Sequence, residues 1–338
     1  MQILVSLPRR GKLFASFFPP ETVALAERLF TVVWNDTDTQ LTKDELREKL
    51  KNCDAYVACW GAPALTAEVL EGADRLKLLV SLGSTIAPYV SDAMWARGIR
   101  AISGFDLFSR STAEGAIAYM LTALRDIPRY TRELREEHVW PGSTMRNDGL
   151  LYKSVGVISY GNVARHLVRM LQGFEVDLRV YDIVEIPADE QQKYGFRQCS
   201  IEEIFSQCDI ISIHTPYNAH THHLVNDHLL SMIKKDALLV NTARGEVIDQ
   251  TALTTHLKNG DFRAALDVFE KEPLPIDDPL FDTHPSKALL IPHMAGVTTN
   301  LRARVTRDML SEAHNFLVNG APLRNEISAA YAGKMSKH

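Results

Sequence analysis

A chain of 338 residues, 46% of them hydrophobic, can bury a sizeable core and has room for two domains. Its formal net charge of -5, with no basic stripe, argues against a nucleic-acid partner. No apolar run approaches the roughly 20 residues a membrane-spanning helix requires, so no membrane partner is expected.

Four cysteines, Cys53, Cys59, Cys199 and Cys208, form neither a dense disulfide framework nor a metal knuckle, which points to a reducing, cytoplasmic setting. The N-terminal MQILVSLPRRGK has too short an apolar segment, and no basic region before it, for a signal peptide. It reads as a first strand. Pro19-Pro20 then opens a helix through Phe30, Thr31 to Trp34 is a strand, and Thr42-Lys43-Asp44-Glu45 is a capping box for a helix ending near Lys51. Ala55 to Cys59, Leu76 to Ser81 and Ile99 to Ser103 read as further strands with helical pieces between them, the alternation of a doubly wound α/β domain. This half has no complete phosphate-binding loop and is assigned to the substrate. Its candidate contact is Leu82-Gly83-Ser84-Thr85, either a plain turn or a loop whose backbone N–H groups bind a carboxylate.

From Ser103-Gly104 a turn leads into a long helix, with Ser111 and Glu114 placed as a capping box. Ala113, Ala116, Ile117, Met120, Leu121 and Leu124 recur at helical spacing, as in a core helix or a subunit interface. Ser154 starts a second α/β unit: strand Val155 to Ile158, turn Ser159 to Ala164, helix Arg165 to Leu171 closed by Gly173. Where GxGxxG belongs, the chain has SxGxxA. It keeps Gly161, the glycine that lets a pyrophosphate approach the backbone, and departs at Ser159. Asp182 ends the next strand, Asp177 to Tyr181. There it can accept hydrogen bonds from ribose hydroxyls and repel a 2'-phosphate, so NAD rather than NADP is expected. Ser200 caps a helix, and strand Asp209 to His214 runs into Thr215-Pro216. His220, His222 and His223 follow without an ordered carboxylate or cysteine set, so they read as a solvated loop and no metal is expected.

The chemistry concentrates between Asn241 and His293. Ala237 to Thr242 and Ala264 to Val268 are apolar runs of the kind buried on both faces of a parallel sheet, and Ala288 to Ile291 is a further strand. Their polar residues therefore fall at carboxyl ends of strands, where open α/β sheets bind ligands. Arg244 can grip a carboxylate in two parallel hydrogen bonds. His293 can move a proton near neutral pH. Glu270 and Glu272 both lie where a carboxylate could support it. Together these groups suit reduction of a 2-keto acid, with Arg244 on the carboxylate and His293 on the carbonyl oxygen. The hydride must come from a cofactor, since no side chain supplies one.

Three ordered motifs, Asn241-Thr242-Ala243-Arg244-Gly245, Asp267-Val268-Phe269-Glu270-Lys271-Glu272-Pro273 and Pro292-His293-Met294-Ala295-Gly296, resemble the D-isomer-specific 2-hydroxyacid dehydrogenase family over nearly the whole chain. The resemblance implies a flavodoxin-like substrate domain at 1–103 plus 297–338, a Rossmann NAD domain at 104–296, and an active site in the cleft between them. It selects Glu272, the residue before proline, as the partner of His293. It favours Gly83, Ser84 and Thr85 as a substrate loop, although Thr85 stands where a second glycine is usual, and it makes Phe108 and Arg110 candidate specificity residues. Cofactor contacts are implied at Tyr160, Gly161, Asn162, Val163 and Asp182, and at Thr215, Pro216, Thr242 and Asp267. Asp267 reads either as a nicotinamide contact or as a buried structural acid. A homodimer through the region after residue 104 is implied as well. The same resemblance extends to NAD-sensing corepressors with little turnover and to phosphite-oxidising relatives; Glu272 argues against a formate dehydrogenase.

Overall fold

Short apolar runs alternating with capped helices build two parallel sheets in the computed structural model, which describes residues 1–140 and 147–335. The chain opens with β1 (Gln2–Val5), α1 (Phe14–Phe17), α2 (Pro20–Leu29), β2 (Thr31–Trp34), α3 (Lys43–Leu50), β3 (Ala55–Ala58), β4 (Leu78–Ser81), α4 (Asp92–Ala96) and β5 (Arg100–Ser103). The five strands pair in the order β2-β1-β3-β4-β5, all parallel. That is the flavodoxin-like order. Thr42 closes the expected capping box on α3 by accepting from the Glu45 N–H while the Glu45 side chain accepts from its own.

α5 (Phe105–Leu124) and α6 (Ile127–Arg135) lead into β6 (Ser154–Ile158), α7 (Asn162–Leu171), β7 (Asp177–Tyr181), α8 (Ala188–Tyr194), β8 (Phe196–Gln198), α9 (Ile201–Gln207) and β9 (Ile210–Ile213). Then come α10 (Asp227–Ser231), β10 (Leu238–Asn241), α11 (Gln250–Asn259), β11 (Arg263–Leu266) and β12 (Ala288–Leu290). These seven strands form the sheet β12-β11-β10-β9-β6-β7-β8, whose order reverses at β6 as in a dinucleotide-binding fold. The chain ends with α12 (Thr299–Asn319), stopped by Gly320 at φ 65°, and α13 (Ala329–Ala332).

By its contacts the chain divides into a first unit, 1–108 with 297–338, and a second, 109–296. Each has hydrophobic clusters on both faces of its sheet, and β3, β4, β9, β10 and β11 are buried along their whole length.

Several local expectations are corrected. The long helix starts at Phe105, where the Ser103 hydroxyl accepts the Phe105 N–H, so Ser111 is a buried mid-helix residue and caps nothing. Phe108 is buried in the first unit against Gly104 and Val305, a core position rather than a substrate-facing one. Of the two readings of the next stretch the core one holds: Ala113, Ala116, Met120 and Leu124 pack into the core of the second unit. Gly173 does not close α7, which continues as a 3-10 turn to Phe174 before Glu175 takes the left-handed conformation. After α12, Ser328 caps the short α13, in which Ala332 is buried; 336–338 lie outside the described residues.

Candidate active site

Arg244 owes its place to Asn241 and Gly245. Asn241, buried at the end of β10, folds its amide over the following turn: its Oδ1 accepts the Ala243 N–H at 3.0 Å, and its Nδ2 donates to the Arg244 carbonyl at 2.9 Å. Gly245 lies so close to the chain after β11 that a Cβ there would stand 1.9 Å from the Phe269 carbonyl carbon. No side chain fits, which gives the Asn-x-Ala-Arg-Gly spacing a steric cause. Burial pulls the Arg244 guanidinium below its ordinary value, while the charges of Glu246 and Glu272 act the other way.

Of the two candidate carboxylates, the structure pairs Glu272 with His293: Oε2 lies 2.7 Å from Nδ1. Its other oxygen accepts the Phe269 N–H at 3.1 Å, which fixes the carboxylate from the opposite side. Glu270 turns elsewhere, to His223 Nε2 at 2.8 Å and to the Gln250 N–H at 3.0 Å. His223 therefore belongs to a tied-down turn; it stacks on His222, and only His220 and His222 remain exposed. Among the described residues no cluster of histidine, cysteine and carboxylate could hold a metal.

His293 sits at φ 53°, a left-handed conformation rare for a side chain of its size. Asp267 holds it there. The Asp267 carbonyl accepts the His293 N–H at 2.8 Å; its buried carboxylate accepts the N–H groups of Met294 at 2.7 Å and Ala295 at 3.0 Å, and the Tyr119 hydroxyl at 3.1 Å. Both Asp267 oxygens are thus engaged within the second unit. Burial and the Asp267 charge push the Tyr119 phenol up, keeping it a proton donor.

The loop between β6 and α7 fits a dinucleotide. Gly161 has open space where a Cβ would stand and precedes, as N-cap, a ten-residue helix whose first N–H groups receive no side-chain cap. Asn162 and Val163 are that helix's first residues. Asp182 stands at the end of β7, its carboxylate oriented by the N–H groups of Tyr160 at 2.7 Å and Val184 at 2.9 Å. Tyr160 itself turns inward, its hydroxyl on Glu190 and its ring beneath Arg165, so only its backbone faces the loop. Ser159 replaces the first glycine at φ 72°, its hydroxyl 2.8 Å from that of Thr215. Thr215 is buried and Pro216 exposed; the Thr242 hydroxyl is buried without a partner, an orphan a polar ligand atom would satisfy.

In the first unit, the Gly83 N–H is taken by the Ser81 hydroxyl at 3.2 Å, and that hydroxyl donates to the Thr85 carbonyl at 2.8 Å. Ser84 is left exposed at the tip. Sequence reasoning missed Tyr119 and Gln250, which anchor Asp267 and Glu270 from more than a hundred and from twenty residues away. Neither carries a local signal.

A family description, the NAD-binding domain of D-isomer-specific 2-hydroxyacid dehydrogenases, matches residues 117–295. The chain belongs to the D-isomer-specific 2-hydroxyacid dehydrogenase family. It is 30% identical to a glyoxylate reductase of Korarchaeum cryptofilum over 83% of this chain and 84% of that one. It is 32% identical to a D-3-phosphoglycerate dehydrogenase of Methanocaldococcus jannaschii over 86% of this chain, but spans only 54% of that longer protein. The apo D-mandelate dehydrogenase of Rhodotorula graminis shares the fold with a TM-score of 0.79 at 23% identity, covering 97% of each chain. The region that matches the family's NAD-binding domain carries the seven-stranded sheet. No helix among its described residues is long and apolar enough to cross a membrane.

Proposed function

We propose that the protein reversibly reduces a small 2-keto acid to the D-2-hydroxy acid with NADH, and that Arg244, Glu272 and His293 carry the reaction. The observation that supports this most is the Glu272–His293 pair. A carboxylate only accepts hydrogen bonds, so His293 Nδ1 is the donor at 2.7 Å and Nε2 remains for the substrate. NADH, held at the residues named below, would supply the hydride for C2 of the keto acid. Nε2–H of His293 donates its proton to the carbonyl oxygen, so C=O becomes CH–OH; in the oxidative direction Nε2 takes the proton back. Glu272 steadies the imidazolium. Arg244 holds the substrate carboxylate and draws electron density from the carbonyl.

Gly161, Asn162 and Val163 would offer backbone N–H groups to the pyrophosphate, and Asp182 the ribose acceptor that disfavours a 2'-phosphate. Thr215, Pro216 and Thr242 would line the nicotinamide half, and Asp267 would act there chiefly by holding the His293 segment. Ser84 would meet the substrate from a loop shaped by Gly83 and Thr85. The unpaired cysteines support a reducing, cytoplasmic compartment, and exposed apolar residues after 104 support a homodimer.

The test is loss of NADH absorbance with glyoxylate, hydroxypyruvate, pyruvate, oxaloacetate and bulkier keto acids, with NADPH in parallel. Turnover with NADH on at least one acid is expected. Tight NADH binding without turnover anywhere would overturn the reading in favour of a regulator, and higher efficiency with NADPH would overturn the role of Asp182.

A further inference from the structure

Arg302 has no evident reason to be where it is. It is the fourth residue of α12, whose first turn contains no acid, and a cation there opposes the helix dipole. Arg9, Arg75, Arg100, Arg304 and Arg307 of the same unit each pair with a carboxylate. Among the described residues none pairs with Arg302. Its Nη1 donates to the neutral Ser16 hydroxyl at 3.2 Å, and its Nε is buried without a partner.

The guanidinium is nevertheless held firmly. Its carbon lies 5.7 Å from the Phe17 ring and 5.6 Å from the Trp60 ring, and those rings pack edge to face at 5.4 Å. Such bracing fixes a cation without neutralising it. Its neighbours mark the ligand edge of the sheet: Trp60 lies two residues beyond β3 and Gly83 two beyond β4, and a Cβ on Gly83 would be 3.5 Å from the Trp60 indole nitrogen. These are carboxyl ends of parallel strands, where open α/β sheets bind ligands. Trp60 and Ser84 are both exposed there.

We propose that Arg302, braced by Trp60 and Phe17, is a specificity residue that binds a second anionic group, a carboxylate or phosphate, on the substrate. This rests on the 2-keto acid reading above and narrows its substrate class to acids with two negative groups. Matched pairs test it: 2-ketoglutarate against 2-ketovalerate for a carboxylate, phosphohydroxypyruvate against hydroxypyruvate for a phosphate. The wild type should prefer the doubly anionic member of one pair, and Arg302→Met should lower that preference about tenfold or more, with Arg302→Lys intermediate. Preference for the singly charged member in both pairs, or equal loss on both members in Arg302→Met, would overturn the proposal.

Binding is read separately from Trp60 emission, in protein whose other tryptophans are phenylalanine, titrated with succinate or inorganic phosphate. A response that Arg302→Met abolishes supports the site; no response to either anion overturns it. If anions perturb Trp60 while no keto acid is reduced, the reaction fails and the anion site stands. If singly charged keto acids are reduced and anions leave Trp60 unchanged, the reverse holds.

Discussion

At the scale of single residues, the candidate site depends on a histidine in a backbone conformation that suits few side chains. His293 at φ 53° is held by Asp267 through its own N–H and those of the next two residues, so the strain is borne by a buried, fully engaged carboxylate. Asparagine tolerates the left-handed region better than alanine, which makes His293→Asn the cleaner probe. It should leave the melting temperature within a few degrees of wild type while cutting kcat by about a hundredfold or more. Glu272→Gln should lower kcat less, and a variant at Glu270 less again, because only Glu272 reaches the imidazole. Equal losses at the two glutamates would refute the pairing. Arg244 and His293 could be picked as candidates from their order along the chain and their positions after apolar runs. The Asp267 brace could not, since it depends on Tyr119, which approaches from a different element.

At the scale of elements, β3, β4, β9, β10 and β11 were readable because both faces of each are buried, leaving uninterrupted apolar runs that end where polar chemistry begins. The start of the long helix was not. Ser111 and Glu114 have the spacing of a capping box, but Phe108 is needed in the core of the first unit, and tertiary packing carries the helix back to Phe105. Motif and packing agree around Gly245. A Cβ there would stand within 2.5 Å of three backbone atoms of Phe269 and Glu270, so Gly245→Ala must push the turn that carries Arg244 away from the segment that carries Glu272. Overpacking of this kind costs about 1–3 kcal/mol, and backbone is less able to yield than a side chain. The variant should melt several degrees lower and lose more in kcat/KM than its stability loss implies, whereas Gly173→Ala, with open space around it and no left-handed backbone, should leave kcat/KM near wild type. Wild-type kinetics in Gly245→Ala would show that the two segments need no close approach.

For the whole molecule, pH and assembly are the informative variables. Burial lowers His214 to about 4; its Nε2 meets the Ser212 hydroxyl while Nδ1 has no partner. An unfolded histidine titrates near 6.5, so between about pH 6.5 and 4 the unfolded chain binds the extra proton and stability falls with falling pH. Asp209 adds a second step. Burial opposes its ionisation, but Lys234 and Ser154 outweigh that and hold it at about 2, so its contribution is lost below the usual carboxylate range. The melting temperature should therefore drop from pH 6.5 towards 4 and further below it, and His214→Gln should flatten only the first step; an unchanged slope would remove His214 from the account. Assembly is the larger test. α6 buries none of its residues, and Ile127, Leu134, Val139, Trp140, Leu151 and Tyr152 are all exposed, Trp140 at 83%. Scattered exposed hydrophobes are ordinary, and these six, within 26 residues of one chain segment, are the ones on which the proposed homodimer rests. In that proposal their partner is a second copy of the chain, in the two-fold contact commonest among soluble oligomers. Light scattering after gel filtration should give about twice the 37.9 kDa chain mass, and Leu134→Asp with Trp140→Asp should return the protein to a monomer that still binds NADH. A wild-type monomer at every concentration, or a dimer that survives both charges, would mean that this surface has another use.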